Sequence, residues 1–201
     1  MTHDTIVALS VLGVVGQVLV GILILVGLLA LFGVRAPLDE IRRWLWGYEL
    51  WAAFIVAAIA TGGSLFFSQV AHFQPCELCW FQRICMYPLS ILLLILAWHG
   101  DNRTARYLLP LPIVGAGVSF YHMLIGYGAI SEPVACQQSA AGGCAINWLA
   151  LPSVHASFGY LQIETLALTA FLLLIGFLVL ATAGEAVEAE APATLPAHAE
   201  R

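Results

Sequence analysis

TIVALSVLGVVGQVLVGILILVGLLALFGV, residues 5–34, contains no charged side chain. Four more apolar stretches follow it, at Glu49–Val70, Glu77–Trp98, Tyr107–Tyr127 and Tyr160–Ala183. A helix needs about 20 apolar residues to cross a bilayer, so each stretch is long enough for one span. The runs are continuous rather than alternating, which excludes a transmembrane barrel. Closed helices remain, because lipid offers no partner to an unpaired backbone group. The head of the first run, Met1-Thr-His-Asp4, lacks the positive start of a signal peptide, and the run is about twice a signal's length. It is read as a retained helix.

The rest of the composition agrees. Of 201 residues, 61% are hydrophobic and only 9% charged, and the mean hydropathy is +0.93. A soluble domain carries roughly 25% charged residues, so a soluble enzyme, a disordered chain and a nucleic-acid binder are all excluded. The net charge of −5 also argues against a phosphate-backbone partner. An all-α integral membrane protein is expected.

All 7 cationic side chains are arginines. Arg35, Arg42 and Arg43 lie between the first two spans, Arg103 and Arg106 between the third and fourth, and Arg201 ends the chain. The connections 71–76 and 128–159 contain no Lys or Arg. By the positive-inside rule the arginine loops face the cytoplasm and the amino terminus lies outside. Trp44 and Trp46 then sit at the inner interface, on a short helix starting near Pro37. Residues 184–201, rich in Ala, Glu and Pro, have no apolar periodicity and are expected to form a disordered acidic cytoplasmic tail.

Four of the 5 cysteines fall at or in the outer connections. Cys76-Glu-Leu-Cys79 opens the third span, and Cys136 and Cys144 lie in the long outer loop. That side of a bacterial inner membrane is where disulfides persist. Structural staples are one reading, but so short a gap removes little loop entropy. A four-sulfur zinc site is another, but such sites show two short-gap pairs and only one is present. A relay of two redox-active pairs fits best. Pro75 precedes the motif, which places Cys76 and Cys79 in the first turn of a helix, where the macrodipole and free amides favour a thiolate. Cys85, on another face, is read as a small buried apolar residue.

Arg83 follows Cys79 by four residues and Cys76 by seven, on the same helix face. It is read as holding a thiolate or an anionic cofactor oxygen, the alternative being an interface anchor. Arg83 and His99 are sixteen residues apart, as are Arg106 and His122. At about 1.5 Å per residue, Arg83 and His122 both lie roughly 24 Å from the inner edge, just below the cysteines. An arginine, a histidine and a thiolate at one depth suit a quinone, whose head takes two electrons and two protons while its tail stays in lipid. Glu164, near the outer end of the last span, is a candidate proton donor to the ring; a carboxylate snorkelled to the interface is the competing reading, and Gln162 shares the ambiguity. No role is assigned to His72 or His155. Covalent haem is not expected without Cys-x-x-Cys-His. The polar stretch 137–143 is expected to let Cys144 swing towards Cys76, and residues 145–152 to lie on the membrane surface.

The run Gln74-Pro-Cys76-Glu-Leu-Cys79-Trp-Phe-Gln-Arg83-Ile-Cys-Met-Tyr87-Pro88 resembles the signature of the disulfide bond formation protein B (DsbB) family, Gram-positive-type (BdbC-like) branch. Tyr121-His122, the Cys136/Cys144 loop and Ile146-Asn147-Trp148 are similar to that branch too. The resemblance covers about Trp51 to Leu180. It implies a four-helix transmembrane bundle core over 49–183, with outer loop 128–159. Residues 1–48 would then be one additional N-terminal transmembrane helix with its cytoplasmic connection, possessing no counterpart in that core. It implies a thiol:quinone oxidoreductase, using ubiquinone or menaquinone, that re-oxidises a DsbA-like thioredoxin-fold dithiol oxidase outside the membrane. By the family's order the partner attacks Cys136, Cys144 exchanges with Cys76, and Cys79 is left as a thiolate beside Arg83. A vitamin K epoxide reductase-like quinone reductase is the competing enzyme, but there the loop cysteines precede the Cys-x-x-Cys. A non-enzymatic scaffold or metal-binding protein with structural cysteines is the third possibility.

Overall fold

The computed structural model describes residues 2–139, 141–146, 149 and 160–190. Among them every regular element is helical, and five helical segments are long and apolar enough to cross a membrane: Asp4–Leu31, Glu49–Val70, Glu77–His99, Asn102–Gly126 and Ile163–Ala183. The protein is an all-α, multi-pass membrane protein.

The first helix, α1 (Thr2–Leu31), ends in a Schellman turn: Gly33, at φ 91°, sends its N–H to Ala30 O, and Val34 sends its own to Leu29 O. Only glycine adopts that left-handed geometry without a steric penalty. The short helix α2 (Ala36–Leu45) carries Pro37 in its first turn and leaves Trp44 and Trp46 exposed. Helix α3 (Glu49–Leu65) widens into a π-helical turn, Phe66–Val70. That turn presents Phe67, whose ring stacks on Phe73 at 5.8 Å between centroids. The chain then reverses through His72, which sits at φ 57°.

Helix α4 (Glu77–His99) returns across the bundle. The fourth span is built in pieces: α5 (Asn102–Ala105), a 3-10 turn (Arg106–Leu108), and α6 (Pro110–Gly126), whose first turn holds Pro110 and Pro112. Asp101 caps α5 by accepting from Thr104 N at 3.1 Å. A short helix, α7 (Val134–Gln137), lies in the long connection, and α8 (Ile163–Glu190) completes the bundle. The helix runs past Ala183 to Glu190, so the tail expected to be disordered from Gly184 begins as helix. Its Ala- and Glu-rich sequence has high helix propensity. Residues 191–201, His155 and most of the expected surface segment lie outside the described residues.

Helices α3, α4, α6 and α8 pack around one apolar core. Leu89, Leu93, Phe171, Leu174 and Leu178 are fully buried in it. Cys85 lies in the same cluster beside Met86, as a small core residue. Helix α1 lies against this bundle mainly along α8, where Gly13, Gly16 and Gly176 let the backbones approach. A β-carbon on Gly13 would overlap Leu166, and one on Gly176 would meet Leu23.

Candidate functional site

Cys76 is the N-cap of α4, in extended conformation, with its Sγ accepting the Cys79 N–H at 3.4 Å. Pro75 ahead of it cannot continue a helix backwards with a donor, so the helix starts at this sulfur. The two sulfurs are 3.1 Å apart and unbonded, the dithiol form of the pair. The hydrogen bond from the Cys79 thiol holds the Cys76 thiol far below its ordinary value, at about 4, and His122 adds to this against the opposing cost of burial. The first turn of α4 is therefore built to keep a thiolate on Cys76.

His122 comes from α6 and is 2% exposed. Its Nε2 lies 3.6 Å from Cys76 Sγ and 2.9 Å from the carbonyl oxygen of Cys144. Its Nδ1 lies 3.3 Å from Gln82 Nε2. One ring thus touches the α4 pair and the outer loop together, oriented by a glutamine one turn below the cysteines. Cys136 and Cys144 are joined as a disulfide. With Cys76 and Ile125 they form a small buried cluster, against which Cys79 and Leu78 pack. Cys144 is already beside the α4 pair, so the wide swing expected of the 137–143 stretch is not needed to bring them together. Glu132 holds the segment in place: its carboxylate accepts from the backbone N–H groups of Cys144 and Ala145.

Arg83 hydrogen-bonds to α3 rather than to either sulfur: its Nε donates to Ser64 Oγ at 3.0 Å and a terminal nitrogen donates to Ser64 O at 3.1 Å. Its guanidinium also lies over the Trp80 ring, 5.3 Å from the centroid. Tyr87 joins the same hydroxyl at 3.2 Å. Glu164, at the start of α8, is 4% exposed, so it is buried rather than snorkelled to the interface. It packs so near Gly126 that a β-carbon there would overlap its carboxylate and the Gln162 amide oxygen. Cys76, Cys79, Arg83, His122, Cys144 and Glu164 all line one cavity of about 210 Å³, whose remaining walls are mostly apolar. Phe67, Phe73 and Phe171 are among them.

Ser64, Gln82 and Glu132 escaped the sequence reading. Each acts by holding another group, and no local motif marks such residues. Cys76 Sγ, Cys79 Sγ and a His122 nitrogen lie within 4.8 Å of one another, a spacing that also suits a thiophilic metal. With Cys136 and Cys144 bonded to each other, a four-sulfur zinc site is not available in this form.

Residues 42–184 match the family model described as disulfide bond formation protein DsbB. The chain is 43% identical over 135 residues to disulfide bond formation protein C of Bacillus subtilis, covering 65% of this chain and 90% of that protein. It is 40% identical over 131 residues to a probable disulfide formation protein of Deinococcus radiodurans, covering 65% of this chain and 86% of the relative. A probable disulfide formation protein of Coxiella burnetii is 37% identical over 147 residues, with 70% and 92% covered. No solved structure matches. The chain belongs to the DsbB family of disulfide bond formation proteins, and is a membrane oxidoreductase of that family.

Proposed function

We propose that this protein is a thiol:quinone oxidoreductase of the bacterial cytoplasmic membrane. It re-oxidises a DsbA-like thioredoxin-fold dithiol oxidase on the outer side and passes the electrons through Cys136/Cys144 and Cys76/Cys79 to ubiquinone or menaquinone. The observation that carries this reading is the His122 ring, in reach of both Cys76 and Cys144 and facing the same cavity as Arg83 and Glu164.

The residues fit a quinone. Its flat ring needs apolar walls and polar groups for its oxygens, and the cavity offers three phenylalanines alongside Arg83, His122 and Glu164. When bound there, a quinone accepts two electrons and two protons. Arg83, fixed by Ser64, would offer a permanent positive charge to a ring oxygen of the bound group. His122 and Glu164 line the cavity as titratable groups that would supply the protons. Phe67 and Phe73, stacked on each other, form part of the apolar wall.

The sulfur chemistry is a sequence of thiolate attacks on disulfides. A partner thiolate attacks Cys136 Sγ, forming a mixed disulfide and releasing the Cys144 thiolate. Cys144, next to Cys76, attacks the Cys76–Cys79 disulfide and releases the Cys79 thiolate into the cavity. The second partner thiol then resolves the mixed disulfide at Cys136, and the partner leaves oxidised. The Cys136 thiolate then attacks Cys144 Sγ, which restores the outer disulfide and frees the Cys76 thiolate; Cys76 and Cys79 together give up two electrons, for which the quinone would be the acceptor, and their disulfide re-forms. In the dithiol form the charge rests on Cys76 with Cys79 as its donor. Once Cys76 is tied to Cys144, the negative charge falls to Cys79.

A Cys144→Ser variant tests the order of exchange. Its free Cys136 thiolate should attack the disulfide of an oxidised thioredoxin-fold partner and trap a covalent adduct, linked at Cys136 when the peptides are read by mass spectrometry. An adduct at Cys79, or none, contradicts the proposed relay.

A further inference from the structure

Helix α1 lies outside residues 42–184, the part matched by the family, yet it helps build the cavity: Leu9, Leu12, Gly13 and Gly16 all line it. It packs along α8 and meets α3 only marginally. The two helices meet near the cysteine end, where a β-carbon on Gly63 would stand 3.5 Å from Leu9 Cδ2. One turn further from that end, Leu12 of α1 and Ile59 of α3 both line the cavity while remaining 49% and 41% exposed. Side chains that face a cavity and are also half open stand at its mouth. Both belong to membrane-spanning helices, so this mouth opens to hydrocarbon, not to water. The polar groups, Arg83, His122 and Glu164, lie inside the cavity.

We infer that the seam between α1 and α3, framed by Leu12 and Ile59, is the lateral portal for the isoprenoid tail of the quinone, which makes α1 a wall of the quinone site and not merely an added anchor. The inference rests on the quinone reading above. A ring held among polar groups with a long apolar tail can satisfy both ends only if the tail leaves sideways into lipid. The seam is the apolar opening that the cavity presents in that direction. The small residues of α1 set its seat on α8: a β-carbon on Gly13 would overlap Leu166, and one on Gly16 would press on Thr169.

The test uses the full-length protein in nanodiscs with a long-tailed quinone bearing a photoactivatable group on its first isoprene unit. Irradiation and peptide mass spectrometry should place adducts on Leu12, Ile59 and their seam neighbours, and excess unlabelled quinone should suppress them. Adducts spread over lipid-facing side chains elsewhere, such as Ile91 and Ile113, or adducts that no competitor suppresses, overturn the portal. In parallel, Leu12→Trp combined with Ile59→Trp should lower kcat/KM for the long-tailed quinone, relative to a tail-less one, by about tenfold. An unchanged ratio overturns the inference. If the wild-type protein exchanges disulfides with a dithiol but reduces neither quinone, the quinone reading itself falls, and the portal with it. If it reduces both and the label avoids the seam, only the portal falls.

Discussion

In the proposed relay Cys76 is the residue on which the chemistry turns, and its environment makes a measurable claim. A thiol that caps a helix, accepts from Cys79 and faces His122 should titrate near 4 in the dithiol form. Its alkylation rate, followed against pH in the reduced protein, should therefore stay level from neutrality down to about 4 and fall only below it. Because this pKa is depressed, the thiolate's contribution to the stability of the reduced form is complete above the ordinary thiol range and is lost as pH falls through about 4. Replacing His122 by Ala should move the alkylation midpoint upward; an unmoved midpoint would mean that His122 does not stabilise the thiolate. Glu132 makes a second claim. Hydrogen bonds to a charged group contribute about 1.5–3 kcal/mol, so Glu132→Ala should speed amide exchange at Cys144 and Ala145 by about tenfold or more. Exchange no faster than in the wild type would show that the carboxylate does not hold the loop. That Cys76, Cys79, Arg83 and His122 share one cavity was readable in the sequence because spacing and depth bring them together. Ser64 and Glu132 were not, since their partners lie 19 and 12 residues away and only the fold brings them together.

Among the helices, the five apolar runs were legible because a span long enough to cross lipid leaves few other choices. Their edges moved for local reasons. The first span stops at Leu31 because Gly33 turns left-handed, two residues before Arg35, which a hydropathy reading would use as its limit. The second ends in a π turn, a hydrogen-bond shift invisible to composition. The fourth breaks into a 3-10 turn before Pro110. The α6–α8 contact was not legible at all. A β-carbon on Gly115 would lie 2.3 Å from Phe171 Cε1, and Phe171 is fully buried. Gly115→Ala should thus force the two helices apart and destabilise the protein by about 1–3 kcal/mol, measured as a lowered unfolding midpoint in detergent. A midpoint equal to that of the wild type would mean that the ring moves aside without cost.

Taken together, the helices place the two cysteine pairs and the cavity at one end of the bundle and the arginine-bearing connections at the other. The proposed orientation puts the cysteine end outside. In a cysteine-free background, Gln138→Cys should react with an impermeant maleimide in right-side-out vesicles, and His99→Cys only after permeabilisation; the reverse pattern would place the dithiol turn in the reducing cytoplasm. That the chain is a multi-pass membrane protein with two cysteine pairs was plain from its sequence. That α1 shares the cavity was not, because hydropathy counts spans without saying which of them touch. The central claim is electron flow from a dithiol, through both pairs, to a quinone. Its most direct test is quinol formation by the purified protein in nanodiscs, given quinone and a reduced thioredoxin-fold dithiol protein, compared between wild type and Cys79→Ser. The relay predicts quinol and oxidised partner in equal amounts from the wild type and none above background from Cys79→Ser; full activity in the variant would contradict it.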